Sequence, residues 1–206
     1  MKNCLAREYR INISTQKVYR LMKGMKLPKM STVKPFYSKH KTASDENCPN
    51  ILKQRFDPSE PNKVWVCDFT YLRAAGRFYH LCVILDLFPR KVIAYKLSAY
   101  LDTKLAIETL DMAVANRNAS NGVIFHSDRG CQFTSEAFRK HLDKLNIVQS
   151  FSAKGHPYDN AVMECFFKYL KKEETNRRTY SSFDELKLSI FQYIHGFYNS
   201  FRPHSH

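Results

Sequence analysis

Nowhere in the 206 residues is there an apolar run long enough to cross a membrane, and the chain opens without a secretory signal. Both absences predict a cytoplasmic protein with no membrane partner. No two of the six cysteines (Cys4, Cys48, Cys67, Cys82, Cys131, Cys165) form a CxxC pair. Scattered in this way, they exclude a zinc knuckle and a disulfide framework and suit a reducing compartment. Acids are also short, 19 against 33 Lys and Arg, so the formal charge is +14. An excess of that size calls for a polyanionic partner, nucleic acid before others. It is unevenly placed: residues 1–63 carry 14 basic and 5 acidic side chains, and residues 64–206 carry 19 and 14. There are no internal repeats, and the length suits one main domain with a small appendage.

Residues 1–30 read as a partial helix-turn-helix for DNA. Ser14 or Thr15 can cap a helix with Val18, Leu21, Met22 and Met25 on one apolar stripe. Lys17, Arg20, Lys23 and Lys26 occupy its other faces, and Lys17 and Arg20 are candidate DNA contacts. Only about a dozen residues precede it, so the first helix of the pair is expected to be incomplete. Residues 31–62, with prolines at 35, 49, 58 and 61 and no sustained periodicity, read as a basic linker. A catalytic core with a C-terminal helix is then expected over 63–206.

That core opens on Val64-Trp65-Val66-Cys67-Asp68-Phe69-Thr70-Tyr71-Leu72, a β-rich run apolar enough to lie centrally in a sheet. Asp68 stands in its middle, where a carboxylate is costly unless paired, hydrogen-bonded or bound to a metal. The period of two puts Asp68 on one face with Val66 and Thr70, opposite Cys67 and Phe69. Two more strands follow, Phe78 to Leu87 and Lys91 to Leu97, and predict an antiparallel meander. Asp102 and Thr103 cap a helix that ends around Asn121-Gly122. Residues 123–127 form a short buried strand, Thr134 and Ser135 open a helix, and Ile147 to Phe151 is a strand. Helices over about 159–174 and 183–198 complete an α/β fold, a mixed five-stranded sheet with helices on both faces.

Asp128 follows the short strand at 123–127, and a right-handed crossover would lay that strand parallel to the first, bringing Asp128 near Asp68. On the helix from 159, Asn160, Glu164, Lys168 and Lys171 share one face, flanked by Met163, Phe166, Phe167 and Leu170. Any one of these acids alone reads equally as a surface carboxylate. Three converging at one end of a sheet would repel one another without divalent cations. Oxygen donors select magnesium or manganese, and two such ions form the clamp used for in-line phosphoryl displacement.

The segments "VWVCDFTYL", "HSDRGCQF" and "GHPYDNAVMECFFKYLKKE" resemble, in order, the three motif blocks of DDE transposases of the OrfB type from bacterial insertion sequences. Those proteins share the retroviral integrase catalytic core. The resemblance extends through "VILDLFPRKVIAY" at 83–95 and "YNSFRPH" at 198–204, and "STQKVYRLMKGMKL" resembles the end of their DNA-binding helix-turn-helix. It implies a ribonuclease H-like fold, with Asp68, Asp128 and Glu164 as the catalytic, metal-binding triad for two Mg2+ or Mn2+ ions. It also implies DNA strand cleavage and strand transfer at element ends, a homo-oligomer on DNA at the nucleoid, and an upstream OrfA partner. Both ends of the chain depart from the family pattern, which leaves a transposition-defective DNA-binding remnant as an alternative. A purely hydrolytic ribonuclease H-like nuclease is the other.

Arg129, Lys154, Asn160, Lys168, Lys171 and Arg202 are the further residues expected to reach DNA. Arg129 and Gln132 read equally as braces of the turn. His126 is expected to be a hydrogen-bonded strand-end residue rather than a ligand. Cys131 and Cys165 are expected to be small packing residues, and the loop Ser152–Pro157 an order-on-binding segment.

Overall fold

A computed structural model describes residues 2–25, 48–118 and 121–202. Their contacts divide into two compact units. The first holds two helices, α1 (Lys2–Tyr9) and α2 (Thr15–Gly24). Ser14 is the N-cap of α2 and accepts from the Lys17 N–H at 3.2 Å, as its side chain predicts. Ahead of it α1 runs for 8 residues, and the Ile11 N–H closes it onto the Leu5 carbonyl. Lys26 lies outside the described residues.

The second unit is built on strands β1 (Val64–Ala74), β2 (Arg77–Asp86), β3 (Lys91–Ser98), β4 (Ile124–Ser127) and β5 (Val148–Phe151). Their order is β3-β2-β1-β4-β5, so β1 is central, as its unbroken apolar character predicts. β1, β2 and β3 form the antiparallel meander, while β4 and β5 run parallel to β1. The strands alternate between two cores. Val64, Val66, Leu72, Leu81 and Val83 face one cluster, and Trp65, Cys67, Cys82 and Ile84 face the other.

Helices α3 (Thr103–Arg117), α4 (Cys131–Thr134) and α5 (Glu136–Lys144) supply the second cluster with Leu110, Phe133, Phe138 and Leu142. The caps are those the sequence predicts: Asp102 accepts from the Leu105 N–H at 2.8 Å and Ser135 from the Phe138 N–H at 3.3 Å. Helix α3 ends earlier than Asn121, because Asn118 takes the left-handed conformation that stops a helix. On the opposite face, α6 (Ala161–Glu173) buries Met163, Phe166, Phe167 and Leu170, each worth about 1.5–3 kcal/mol of gross stabilisation. It is entered through a 3₁₀ turn, Pro157–Asn160.

The expected C-terminal helix is α7 (Phe183–Phe191), which continues as a π-turn over Gln192–Tyr198. Beyond it the Asn199 amide donates to and accepts from the Val92 backbone at 2.8 and 2.9 Å, replacing a missing neighbour for the edge strand β3. Residues 31–47 of the expected linker, and Pro203 to His206, lie outside the described residues. The rest of that linker is not free: Cys48 and Leu52 are buried in the two cores. The core therefore includes chain from Cys48 onward, well before Pro61. The signal was missed because this segment has a polar composition and no period, and its partners lie far along the chain.

Candidate active site

The parallel pairing of β1 with β4 matches Val64 with Ile124, Trp65 with Phe125 and Val66 with His126. The pairing ends at Val66, and Asp68 and Asp128 each follow that last matched pair by two residues. Adjacent strands lie ~4.8 Å apart. Asp68 stands midway along β1 and Asp128 directly follows the carboxyl end of β4, the end of a parallel strand being the usual place for a ligand in an α/β sheet. Each is partly buried and turned by a backbone donor. Phe69 N–H donates to Asp68 Oδ1 at 2.7 Å, and Gly130 N–H donates to Asp128 Oδ1 at 3.0 Å. A Cβ at position 130 would sit 3.1 Å from that oxygen, so the turn beside Asp128 fits glycine closely.

Because β4 stops at Ser127, β1 loses its neighbour on that side beyond Val66. The buried Asn160 takes over, donating from Nδ2 to the Cys67 carbonyl at 3.3 Å. That bond docks the start of α6 on β1 next to Asp68. Glu164 is exposed in the first turn of α6, where the helix dipole favours a carboxylate.

Burial pushes the Asp68 carboxyl well above the usual carboxylate range, and the charge of Asp128 adds to this. The Phe69 N–H opposes the shift, Glu164 raises it again, and Lys171 lowers it. Asp128 and Glu164 are therefore each close enough to act on Asp68. Asp86 shows the contrast. It is fully buried, but Arg117 donates to it at 2.8 Å and the Asn62 and Phe88 N–H groups satisfy the rest. Asp68 has no such ion pair among the described residues, and the Phe69 N–H and the Lys171 charge offset its burial only in part. Among those residues, no three His, Cys, Asp or Glu side chains are drawn together as a closed ligand set. The carboxylates offer oxygen donors only, a set that fits magnesium or manganese.

The residues expected to meet DNA fall into two groups. Lys17 and Arg20 are exposed on α2, Lys154 is exposed in the loop after β5, and Lys168 is exposed on α6. Lys171 is half-buried, its ammonium 4.7 Å above the Tyr71 ring; burial lowers its pKa and the Asp68 charge raises it. Tyr71 carried no signal as a cradle, since strand aromatics normally pack the core.

Arg129, Asn160 and Arg202 have partners within the protein. Arg129 donates to the carbonyls of Ser152 at 3.0 Å and Cys48 at 3.2 Å, which makes it a brace. Asn160 is turned inward as described. Arg202 lies 3.5 Å from the Tyr169 ring and pairs with Glu173 at 3.3 Å. Gln132 braces the turn through the Leu101 carbonyl at 3.4 Å.

His126 is the strand-end residue expected. It is fully buried between Ser150 Oγ (2.9 Å) and Ser152 Oγ (3.2 Å), and burial lowers its pKa to about 4. Cys131 and Cys165 are exposed, not packing residues; both lie on helical faces that the core leaves to solvent. Asp159, absent from the expected site, is buried at the entrance to α6 and gathers three N–H donors.

Two Integrase core domain family models match the chain, over residues 58–157 and 145–206. The chain is 33% identical over 195 residues to the transposase for insertion sequence element IS904 of Lactococcus lactis, covering 95% of this chain and 77% of that protein. It is 39% identical over 156 residues to the transposase InsF of insertion sequence IS3A from Escherichia coli, covering 76% of this chain and 54% of that one. It thus spans about half the length of InsF. Its fold resembles the catalytic domain of Mos1 transposase, solved with Mn and raltegravir. The TM-score is 0.53 at 18% identity, over 68% of this chain and 74% of that one. With a ribonuclease H-like sheet and this degree of identity to IS904, the chain belongs to the insertion-sequence transposases built on the integrase core.

Proposed function

We propose that Asp68, Asp128 and Glu164 are the catalytic carboxylates of this transposase and hold two magnesium or manganese ions between them. The reading is carried by the charges of Asp128 and Glu164, both near enough to raise the Asp68 pKa, with Asp68 on β1 and Asp128 just past the end of the parallel β4. Mos1, solved with Mn, offers a fold-level parallel for the metal. When bound, such ions neutralise the carboxylates, polarise the scissile phosphodiester and favour the developing charge on the attacking and leaving oxygens. In strand cleavage, the oxygen of water bonds to phosphorus, the bond to the 3′-oxygen breaks, and that oxygen takes up a proton. In strand transfer, the freed 3′-hydroxyl attacks a phosphodiester of target DNA in the same way.

The rest of the chain positions the nucleic acid. Lys154, Lys168 and Lys171 take phosphates beside the site, and Lys17 and Arg20 take them from α2. Arg129, Asn160 and Arg202 serve by holding the elements that frame the site. Residues 31–62 act as the linker only up to about Cys48, and the catalytic core runs from there through the part expected at 63–206. The chain works as a homo-oligomer on element ends, in the cytoplasm at the nucleoid, with an upstream OrfA partner for end recognition.

The test offers end DNA with a supplied 3′-hydroxyl, target DNA and millimolar magnesium. Joined product is expected from the wild type, and hydrolysis alone would mean a nuclease. Asp68→Asn, Asp128→Asn and Glu164→Gln should each lower cleavage by roughly a thousandfold or more. Their circular dichroism should be unchanged. A folded variant that cleaves at the wild-type rate would remove its residue from the triad.

A further inference from the structure

Asp159 stands just before Asn160 in the turn that leads into α6, and it is 2% exposed. Its carboxylate is committed on both oxygens. Oδ2 accepts from Asn50 Nδ2 and from the Ala153 N–H, each at 2.8 Å, and Oδ1 accepts from Gln54 Nε2 at 2.7 Å. Burial alone would raise its pKa, but the N–H donors outweigh it and hold the carboxyl below the usual range. Such an acid remains ionised, with the charges of His156 and His126 adding to the effect of its donors.

Two of the three donors come from the stretch 50–54, which lies 109 and 105 residues away in sequence. This strap is itself tied down. Ile51 and Leu52 N–H groups donate to Ser150 Oγ at 3.0 and 3.2 Å, and the Phe151 N–H donates to the Pro49 carbonyl at 2.9 Å. Leu52 packs in the same core cluster as Met163 of α6. The strap also carries backbone strain: Lys53 and Gln54, neither a glycine, have φ of 48° and 57°. Left-handed conformations at two successive residues persist only where the surroundings over-determine them. Here they present the Gln54 amide to Asp159.

We propose that Asp159 is a positioning residue for strand cleavage: by collecting the strap amides and the Ala153 N–H on one carboxylate, it sets where α6 begins. That placement carries Asn160 onto the Cys67 carbonyl and Glu164 toward Asp68. The inference rests on Glu164 being one of the site's acids. It makes the strap a working part of the active site. A carboxylate accepts from all three donors at once, whereas an amide offers them a single acceptor oxygen and needs the Gln54 amide to turn over to receive its NH2.

The experiment compares hydrogen–deuterium exchange and magnesium-dependent cleavage in the full chain. Asp159→Asn should speed exchange over 153–164 about tenfold or more, with β2 and β3 unaffected. Well below the melting temperature it should also cut kcat about a hundredfold, as expected for a reacting group displaced by about an ångström, with KM for DNA unchanged. Gln54→Ala, which removes one donor and leaves the acid, should move both readouts in the same direction if Asp159→Asn does not fold. The reversed pair, Asp159→Asn with Gln54→Glu, exchanges donor and acceptor across one contact. It should return both readouts to within about threefold of wild type, as coupled partners do. Wild-type exchange and cleavage in Asp159→Asn, or in Gln54→Ala where Asp159→Asn is unfolded, would overturn the proposal. Recovery of exchange without recovery of kcat in the reversed pair would also do so. Should the wild type itself fail to cleave, the metal-site reading falls, and exchange alone still decides whether Asp159 sets the entrance to α6.

Discussion

Replacing Asp68 by Asn should make the protein more stable without metal and less responsive to metal, two effects of one charge. Burial and then Asp128 raise the Asp68 pKa, so the fold favours the protonated carboxyl. The folded pKa lies above the unfolded one. Wild-type stability is therefore fully present below the ordinary value of 3.8 and is lost as pH rises through the raised folded pKa. The variant carries no such loss, and its Oδ1 can still accept the Phe69 N–H that Asp68 accepts at 2.7 Å. In EDTA the two proteins should melt together near pH 4, with the variant higher by pH 7. Magnesium at a hundred times its Kd should add about 2.7 kcal/mol to the wild type. For a chain of this size that is about 5–10 °C in melting temperature. Asp68→Asn should gain little. Calorimetry with and without magnesium, at several pH values, measures both effects. A variant less stable than wild type at pH 7 in EDTA, or an equal gain from magnesium in both proteins, would refute the reasoning.

Lys168→Ala and Lys171→Ala should each weaken binding to end DNA and reduce the slope of log K against log salt by about 0.9. Filter binding at several salt concentrations checks this, and an unchanged slope would return that lysine to the solvated face. His126, with its pKa lowered to about 4 by burial, is neutral in the fold down to that pH. Its stabilisation is present above about 6.5 and lost as pH falls toward 4, a change of up to roughly 3 kcal/mol. NMR titration of the ring measures it, and an imidazole that charges near 6.5 would contradict the buried geometry.

Elements whose cause is local were legible in the chain. Asp102, Ser135 and Ser14 cap helices because a short oxygen side chain satisfies the N–H groups just after it, and those groups are always nearby in sequence. The centrality of β1 followed from its apolar run, and the oddity of Asp68 from a carboxylate inside that run. The three acids could be singled out from their motif blocks. Their mutual approach needed the register of β1 on β4, which depends on two cores closing at once.

What only tertiary structure decided are the partners of side chains that could go either way. Arg129 reads as a phosphate contact until the carbonyls of Cys48 and Ser152 are placed beside it. Arg202 is a free cation in sequence and a stacked, paired one beside Glu173 and Tyr169. The strap at 48–54 has the composition of a linker, and locally it has turn bonds such as that from the Lys53 N–H to Asn50 Oδ1 at 2.8 Å. Its order comes from Ser150 and Asp159, roughly a hundred residues later in the chain. A hydrogen bond across that distance depends on where the sheet sets its two ends, because polar side chains specify a donor or an acceptor and leave the partner to the fold.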